Sequence, residues 1–174
     1  AVDSAGNIFV TGFVQTGDFP TTEGAYDRTW NSINNYADAY IIKFNSDYSQ
    51  LLASTFIGGT WHDMPIGIAV DAQGNVFIAG STQSENFPTT PGAFDRSQNG
   101  GMWDAFVVKL NPAGSGLAYA TFLGGSNSDG GASIAVDGAG ADHRPGSSGG
   151  RVARGRRGDG GARRRRVFPR ASCL

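Results

Sequence analysis

Short runs of β-branched and aromatic residues alternate with glycine, asparagine, aspartate and proline over residues 1–140. One stretch contains four such runs, at residues 66–71, 75–80, 104–110 and 118–123. β-Branched and aromatic residues favour strands, whereas the small and polar residues between the runs favour turns. The pattern therefore predicts four short β-strands in this stretch.

The composition of the individual runs indicates where each strand lies. The third run contains consecutive apolar residues, Ala-Phe-Val-Val at 105–108, so both of its faces are expected to be covered. The first run, IGIAV, is made of small and branched residues, which suit the crowded inner edge of a tapering assembly. Between the first two runs, Asp71 and Gly74 predict a tight hairpin turn.

The same phrases return along the chain, 68 or 66 residues apart. The pairs are AVDSAGNIFVTG (1–12) with AVDAQGNVFIAG (69–80), DAYIIKFN (38–45) with DAFVVKLN (104–111), and STFIGG (54–59) with ATFLGG (120–125), while IAVDGAG (134–140) begins a third copy. A repeated unit of four strands that must be covered on both faces by its neighbours describes the blade of a β-propeller.

Taken together, GIAVDAQGNVFIAG, FPTTPGAFDR, DAFVVKLN and ATFLGG resemble the SBBP repeat, a β-propeller repeat frequent in large bacterial secreted and surface proteins. The resemblance covers about residues 1–140 and implies a propeller with an extracytoplasmic location. It supplies no catalytic residue or ligand, because the family has none that is agreed.

We therefore predict an all-β fold, a β-propeller fragment of about two four-stranded antiparallel blades. The first blade spans 1–59 and lacks most of its first strand, the second spans 66–125, and the first strand of a third lies at 132–137. A closed propeller needs at least about four blades, so we expect the fragment to be marginally stable in isolation.

The charge of the chain changes sign near Gly140. Residues 1–140 carry 4 basic and 13 acidic groups, whereas residues 141–174 carry 10 arginines and 2 acidic groups. Three interpretations of this tail stay open, namely a nucleic-acid-binding arm, a disordered linker, or out-of-frame translation, which the break within a repeat phrase favours. We expect disorder, because the tail has little apolar surface to bury. The four arginines at 163–166 would bind phosphates without specificity, so no specific nucleic-acid partner is predicted.

The phrase FPTTEGAYDR (19–28), which returns as FPTTPGAFDR (87–96), lies between the second and third strands of each unit. Thr90 followed by Pro91 predicts a short helical turn, with threonine as its cap. We expect the aromatic residues of the phrase to insert into the blade and its Asp-Arg pair to interact; they are Phe87, Phe94, Asp95 and Arg96, with Tyr26, Asp27 and Arg28 in the first copy. The phrase is thus predicted to be a structural clip, and a binding site is the alternative.

The Gly-Gly-x-x-x-Asp turn after the fourth strand supplies the candidate site residues. Asp63 and Asp129 share one repeat position, which favours capping of backbone amides. Trp61 and His62 stand where the next copy has Asn-Ser, so they are candidate contacts for a peptide or glycan, with a solvated loop as the alternative. Asp63 and Asp129 are the other candidate ligand-binding residues. We expect this turn and the long clip segment to share one face of the propeller.

The sequence predicts neither catalysis nor a cofactor. Its two histidines, His62 and His143, form no arrangement of nucleophile, base and orienting acid. Loop aspartates are ligands that calcium uses, but the carboxylates here are spread one per turn, so no metal is predicted. No run approaches the roughly 18 apolar residues of a membrane helix, so no membrane span is predicted.

We predict a non-catalytic structural or interaction module of a secreted or surface bacterial propeller protein. Its expected partners are further blades of the parent chain and a peptide or glycan. The alternative is part of a propeller enzyme, such as a polysaccharide lyase or hydrolase, whose active site lies in other blades.

Overall fold

The computed structural model describes residues 1–136 and the pair 151–152. Its strands are β1 Ile8–Val14, β2 Asp38–Phe44, β3 Leu51–Ile57, β4 Asp63–Val70, β5 Val76–Thr82, β6 Asp104–Leu110, β7 Leu117–Leu123, β8 Ile134–Ala135 and β9 Arg151–Val152. The described residues contain no helix, so none that could cross a membrane is found among them. The all-β prediction is confirmed.

The strands form two antiparallel blades that follow one another along the chain. Blade two is the four-stranded sheet β4-β5-β6-β7, and blade one is the three-stranded sheet β1-β2-β3. Val2 makes a single bridge to Ile8, at the position where Val70 pairs with Val76 in blade two. Val2 therefore takes the place that Val70, the last residue of β4, has in blade two.

The hydrophobic core extends across both sheets. β4 packs against β1, and β6 is buried at every residue except Lys109, as the run of apolar residues in its sequence predicts. The core cluster consists of Phe9, Ile41, Ile57, Val76, Ile78, Phe87, Phe106, Val108, Leu110, Ala120 and Phe122. Because blade one contributes to the same cluster as blade two, each sheet covers a face of the other.

The predicted hairpin between the first two strands of blade two is present. The carboxylate of Asp71 accepts hydrogen bonds from the backbone amides of Gln73 (3.0 Å) and Asn75 (2.8 Å). Gly74 has a φ of +83°, a conformation that glycine adopts without a Cβ penalty. The Nζ atom of Lys109 on β6 lies 3.7 Å from the same carboxylate, so the turn is also tied to the blade.

The repeated FPTT phrase covers the outer edge of its blade. Phe87 is buried, with its ring 4.5 Å from that of Phe106. The amide of Thr90 donates to the carbonyl of Ala120 on β7 (3.1 Å), and the amide of Ala120 donates to Thr90 Oγ1 (3.0 Å). An exposed edge strand offers unpaired backbone groups to other chains, and the clip pairs some of those of β7. The buried Phe87 and the contacts to β7 agree with the predicted structural clip.

The conformation of the clip differs from the predicted helical turn. The amide of Ala93 donates to the carbonyl of Thr90 (3.1 Å), and Gly92 has a φ of +79°. These features define a type II β-turn, in which proline at the second position and glycine at the third are both favoured. The prediction of a short helical turn was wrong because Gly92, the residue after Pro91, adopts a positive φ, which a right-handed helix does not contain.

Two further expectations about the clip were also wrong. Phe94 is 71% exposed, so only the aromatic residue at the start of the phrase inserts into the blade. Among the described residues, neither Asp-Arg pair forms an ion pair. Asp95 instead accepts a hydrogen bond from the amide of Ser97 (3.0 Å), and Asp27 accepts one from the amide of Thr29 (2.8 Å). These aspartates are therefore turn-formers. Tyr26, the counterpart of Phe94, packs partly buried against the core.

The third copy of the repeat begins at β8, which pairs with the two residues of β9. β8 also lies close to Gly67 on β4, where an added Cβ would come 3.0 Å from the backbone nitrogen of Ile134. This close approach explains the small residue in the first strand of blade two. The rest of the arginine-rich tail lies outside the described residues, so its expected disorder stays a prediction.

Candidate binding site between the two blades

The long segment between β5 and β6 and the Gly-Gly turn before β4 lie on the same face, as predicted. The side-chain oxygen of Asn86 accepts a hydrogen bond from the amide of Thr60 (3.0 Å), and Ser84 Oγ accepts one from the amide of Trp61 (2.8 Å). The turn that leaves blade one is therefore held by blade two, and the loops of the two blades form one surface.

Asp63 is the central polar group of this junction. Its fully buried carboxylate accepts hydrogen bonds from the amide of Gly59 (2.7 Å), from Ser84 Oγ (2.9 Å) and from Thr82 Oγ1 (2.5 Å). The predicted capping of a backbone amide is thus present. Burial raises the pKa of Asp63 to about 7, although the hydrogen bonds from Thr82, Gly59 and Ser84 favour the ionised form.

A second buried carboxylate, Asp38 at the start of β2, lies beside the first. It accepts hydrogen bonds from the amide of Asn31 (2.7 Å) and from the hydroxyl of Ser32, and burial raises its pKa. A Cβ added at Gly58 would lie 2.9 Å from Asp38 Oδ1 and 2.8 Å from Asp63 Oδ2. The absence of a side chain at Gly58 therefore leaves room for the two carboxylates.

Blade two repeats this arrangement only in part. Asp129 accepts a hydrogen bond from the amide of Gly125 (2.6 Å), which matches the contact of Asp63 with Gly59. Gly100 stands where blade one has Ser32, and the Oδ1 atom of the buried Asp104 has no hydrogen-bond partner among the described residues. Sequence reasoning missed the roles of Asp38 and Asp104, although a charged residue at the start of an apolar strand in both copies was a usable signal.

Solvent reaches a shallow depression of about 450 Å³ on the same face. Its lining residues come from both blades and from the turn between them; they are Tyr36, Trp61, His62, Gln83, Gln98, Gly101 and Met102. Trp61 is 42% exposed and Met102 is 65% exposed. Large apolar side chains are thus left in contact with solvent where the loops of the two blades meet.

The aromatic rings in the depression are arranged at angles to one another. The ring of Tyr36 lies 4.8 Å from that of Trp61, tilted by 34°, and contacts His62 edge-on at 4.7 Å. The imidazole is also nearly parallel to the ring of Trp103, at 6.2 Å. The result is a continuous aromatic surface that spans the boundary between the blades.

His62 has a fixed tautomer because of its contact with the backbone. Its Nδ1 atom accepts a hydrogen bond from the amide of Ala37 (3.1 Å), so the ring proton is on Nε2. In the next copy Ser128 Oγ accepts from the amides of Met102 (2.9 Å) and Trp103 (3.4 Å). Histidine in one repeat and serine in the next therefore support the same loop.

The structure brings together two of the four predicted site residues. Trp61 and His62 line the depression, whereas Asp63 is fully buried and Asp129 is not among the lining residues. Sequence reasoning missed the other lining side chains, which are Tyr36, Gln83, Gln98 and Met102. Tyr36 and Gln98 could have been found by the criterion that identified Trp61, because the other copy of the repeat has a different residue at each of these positions. Within the described part of the chain, no group of three or more His, Cys, Asp or Glu residues is arranged to hold a metal.

Residues 48–88 match the family model SBBP, described as a beta-propeller repeat. The matched stretch covers less than half of the chain. It runs from the turn before β3, through β4 and β5, to the first residues of the clip, and so includes Trp61 and His62. The family predicted from the repeated phrases is confirmed. No curated protein matches the chain.

Proposed function

We propose that this chain is a non-catalytic recognition module of a larger β-propeller, and that it binds a ligand in the aromatic depression between its blades. The observation that carries the proposal is Trp61, which is 42% exposed and whose ring packs beside that of Tyr36. The next repeat folds with asparagine at this position, so the blade does not need an aromatic residue there. Exposed aromatic side chains grouped on loops of a rigid scaffold are typical of binding surfaces.

The chemistry of the depression supports binding in preference to reaction. Its side chains are aromatic, amide and thioether groups, and the histidine uses Nδ1 to hold the backbone of Ala37. An extracytoplasmic location belongs to the same proposal. It is supported by the resemblance of the repeated phrases to SBBP repeats, which are frequent in secreted and surface proteins. The remaining partners would be further blades of the parent protein.

The proposal is tested by screening the full chain on glycan and peptide arrays beside the double variant Trp61→Asn/His62→Ser. This variant installs the residues of the next repeat, and serine at 62 can hold the loop as Ser128 does. We expect binding to fall by about tenfold or more, because the aromatic surface is lost. The melting temperature should change by no more than about 3 °C, because Trp61 is exposed and serine at 62 can replace the hydrogen bond of the half-buried His62.

Gln73→Ala on the hairpin between β4 and β5 is the control, since this exposed residue is not among those lining the depression. It should bind as the unchanged chain does. Full binding by the double variant, with loss in Gln73→Ala, would place recognition on the hairpins and overturn the proposal.

A further inference from the structure

The depression contains two amide side chains that are free to bind. Both line the depression: Gln83 follows β5 directly, and Gln98 lies between the clip phrase and β6. Within residues 1–136, neither side chain forms a hydrogen bond to another protein group. A carboxamide both donates and accepts hydrogen bonds, so it can bind a hydroxyl group in either sense. His62 adds a donor at Nε2, since its Nδ1 is already engaged.

The depression also carries no formal charge. Its seven lining residues include no lysine, arginine, aspartate or glutamate, and His62 accepts at Nδ1 as a neutral imidazole does. The two nearby carboxylates, Asp38 and Asp63, are fully buried and engaged in hydrogen bonds. An ionised ligand would therefore lose its hydration here without gaining an ion pair, which favours a neutral ligand.

These features together match a sugar chain better than a proline-rich peptide. The exposed side chain of Trp61, which packs beside Tyr36, offers an apolar surface on which the C–H face of a pyranose ring can stack, and the two amides line the same depression. A proline-rich peptide, the other common partner of exposed aromatic grooves, presents carbonyl acceptors and needs only donors. Hydroxyl groups both donate and accept, as carboxamides do. The volume of about 450 Å³ lies within the range of about 300–1,000 Å³ typical of small-ligand sites.

We propose that the depression binds a neutral oligosaccharide, with pyranose rings stacked on Trp61 and Tyr36 and hydroxyl groups bound by Gln83 and Gln98. This inference rests on the proposed function, because it concerns the same surface. It adds that the site spans the two blades: Tyr36 belongs to blade one, the glutamines belong to blade two, and the turn with Trp61 joins them.

Isothermal titration calorimetry of the full chain tests the ligand class. The probes are neutral oligosaccharides (cello-, xylo-, malto- and chito-oligomers), an acidic oligogalacturonate and a proline-rich peptide. We expect at least one neutral oligomer to bind and the other two probes to bind at least about tenfold more weakly. The double variant Gln83→Ala/Gln98→Ala should bind the neutral oligomer about tenfold or more weakly than the unchanged chain does, and its melting temperature should not change. Gln73→Ala should leave its binding intact.

The outcomes separate this inference from the proposal on which it rests. The proline-rich peptide or the oligogalacturonate could bind more tightly than every neutral oligomer and lose that binding in Trp61→Asn/His62→Ser. This result would overturn the proposal of a neutral oligosaccharide, whereas the proposal of a recognition surface at the depression would stand. Neutral-glycan binding that survives both double variants would overturn the assignment to this depression. Binding of no probe would count against both.

Discussion

At the scale of single residues, the positions that differ between the two repeats matter more than those that agree. Asp63 and Asp129 agree, and both cap a backbone amide of their turn. Trp61 differs, and its ring lies in the solvent-exposed depression. Because all copies of a repeat must make the same blade, a residue present in one copy alone is free to serve another purpose. This comparison of copies was possible from the sequence, and it found Trp61 and His62.

Other residues of the site could not be found in this way. Gln83 has a glutamine counterpart, Gln15, in the first copy, so its sequence position carries no sign of special use. Its place in the depression depends on how the segment after β5 meets the turn from blade one, where Asn86 and Ser84 bind the backbone of that turn. Likewise, the burial of Asp38 and Asp63 together follows from the packing of β4 against blade one, which a single strand pattern does not reveal.

The buried carboxylate of Asp63 predicts a dependence of stability on pH. Burial raises its pKa to about 7 from the ordinary value of 3.8, so the folded protein holds a proton that the unfolded chain releases. The stabilisation is complete below the unfolded value and is lost as the pH rises through about 7. The difference in pKa corresponds to about 4 kcal/mol. We expect the free energy of unfolding, measured with denaturant, to fall between about pH 4 and about pH 8.

Asp63→Asn removes the titrating group and keeps the shape of the side chain. Its amide can donate to Thr82 Oγ1 while its oxygen accepts from the amide of Gly59, so the fold should persist. The fall in stability with pH should be much shallower in this variant. Asp129→Asn, at the same position in the next repeat but only partly buried, is the matched control. If the free energy of unfolding fell equally with pH in the unchanged chain and in Asp63→Asn, the prediction would be contradicted.

At the scale of elements, the sequence predicted the strands of blade two well, but it predicted the conformation of the clip only in part. Residues 66–71 were predicted as the first strand of blade two, whereas β4 begins at Asp63. The residues before 66 also pair with β5, and the pairing contains a bulge between Pro65 and Gly67. The strand was predicted to begin after Pro65 because proline is typical of turns. The clip follows the outer strand instead of forming a helix, because Thr90 and Asp95 make backbone contacts to β7 that a local pattern cannot show.

Phe87→Ala tests the clip as a structural element. Phe87 is 3% exposed and packs against Phe106 and Phe122, so its truncation should lower the free energy of unfolding by about 3–5 kcal/mol. Phe94→Ala, in the same phrase but 71% exposed, is the matched control and should cost no more than about 0.5 kcal/mol. Denaturant unfolding of both variants measures the difference. Unchanged stability of Phe87→Ala together with lost ligand binding would instead make the phrase a site.

At the scale of the whole molecule, the junction between the blades indicates what a third blade would contribute. Asp63, at the start of β4, accepts hydrogen bonds from Thr82 and Ser84, which lie at the end of β5 and just after it in the same blade. Asp129 has the same repeat position, and among the described residues its carboxylate accepts only from the amide of Gly125. The sequence after Gly140 has no counterpart of the phrase that contains this threonine and serine. A following repeat would supply both hydroxyl groups and cover the free side of blade two.

A fusion of residues 1–136 with a second copy of residues 71–136 tests this arrangement. Val136 corresponds to Val70, so the junction continues the repeat in phase and adds a complete third blade. Because each repeat is stabilised by its neighbours, the denaturant midpoint should rise above that of residues 1–136 alone, in a single transition. The m-value should increase by roughly half, since it scales with the surface exposed on unfolding.

In the same fusion, the new counterparts of Thr82 and Ser84 can be changed to alanine. This variant should lose about 1–3 kcal/mol of the gain, because the carboxylate of Asp129 would then be covered without its hydroxyl partners. Alanine placed instead at the counterpart of the exposed Gln73 in the new hairpin should cost little. Two separate unfolding transitions, or an unchanged midpoint, would show that blades do not stabilise one another through this junction.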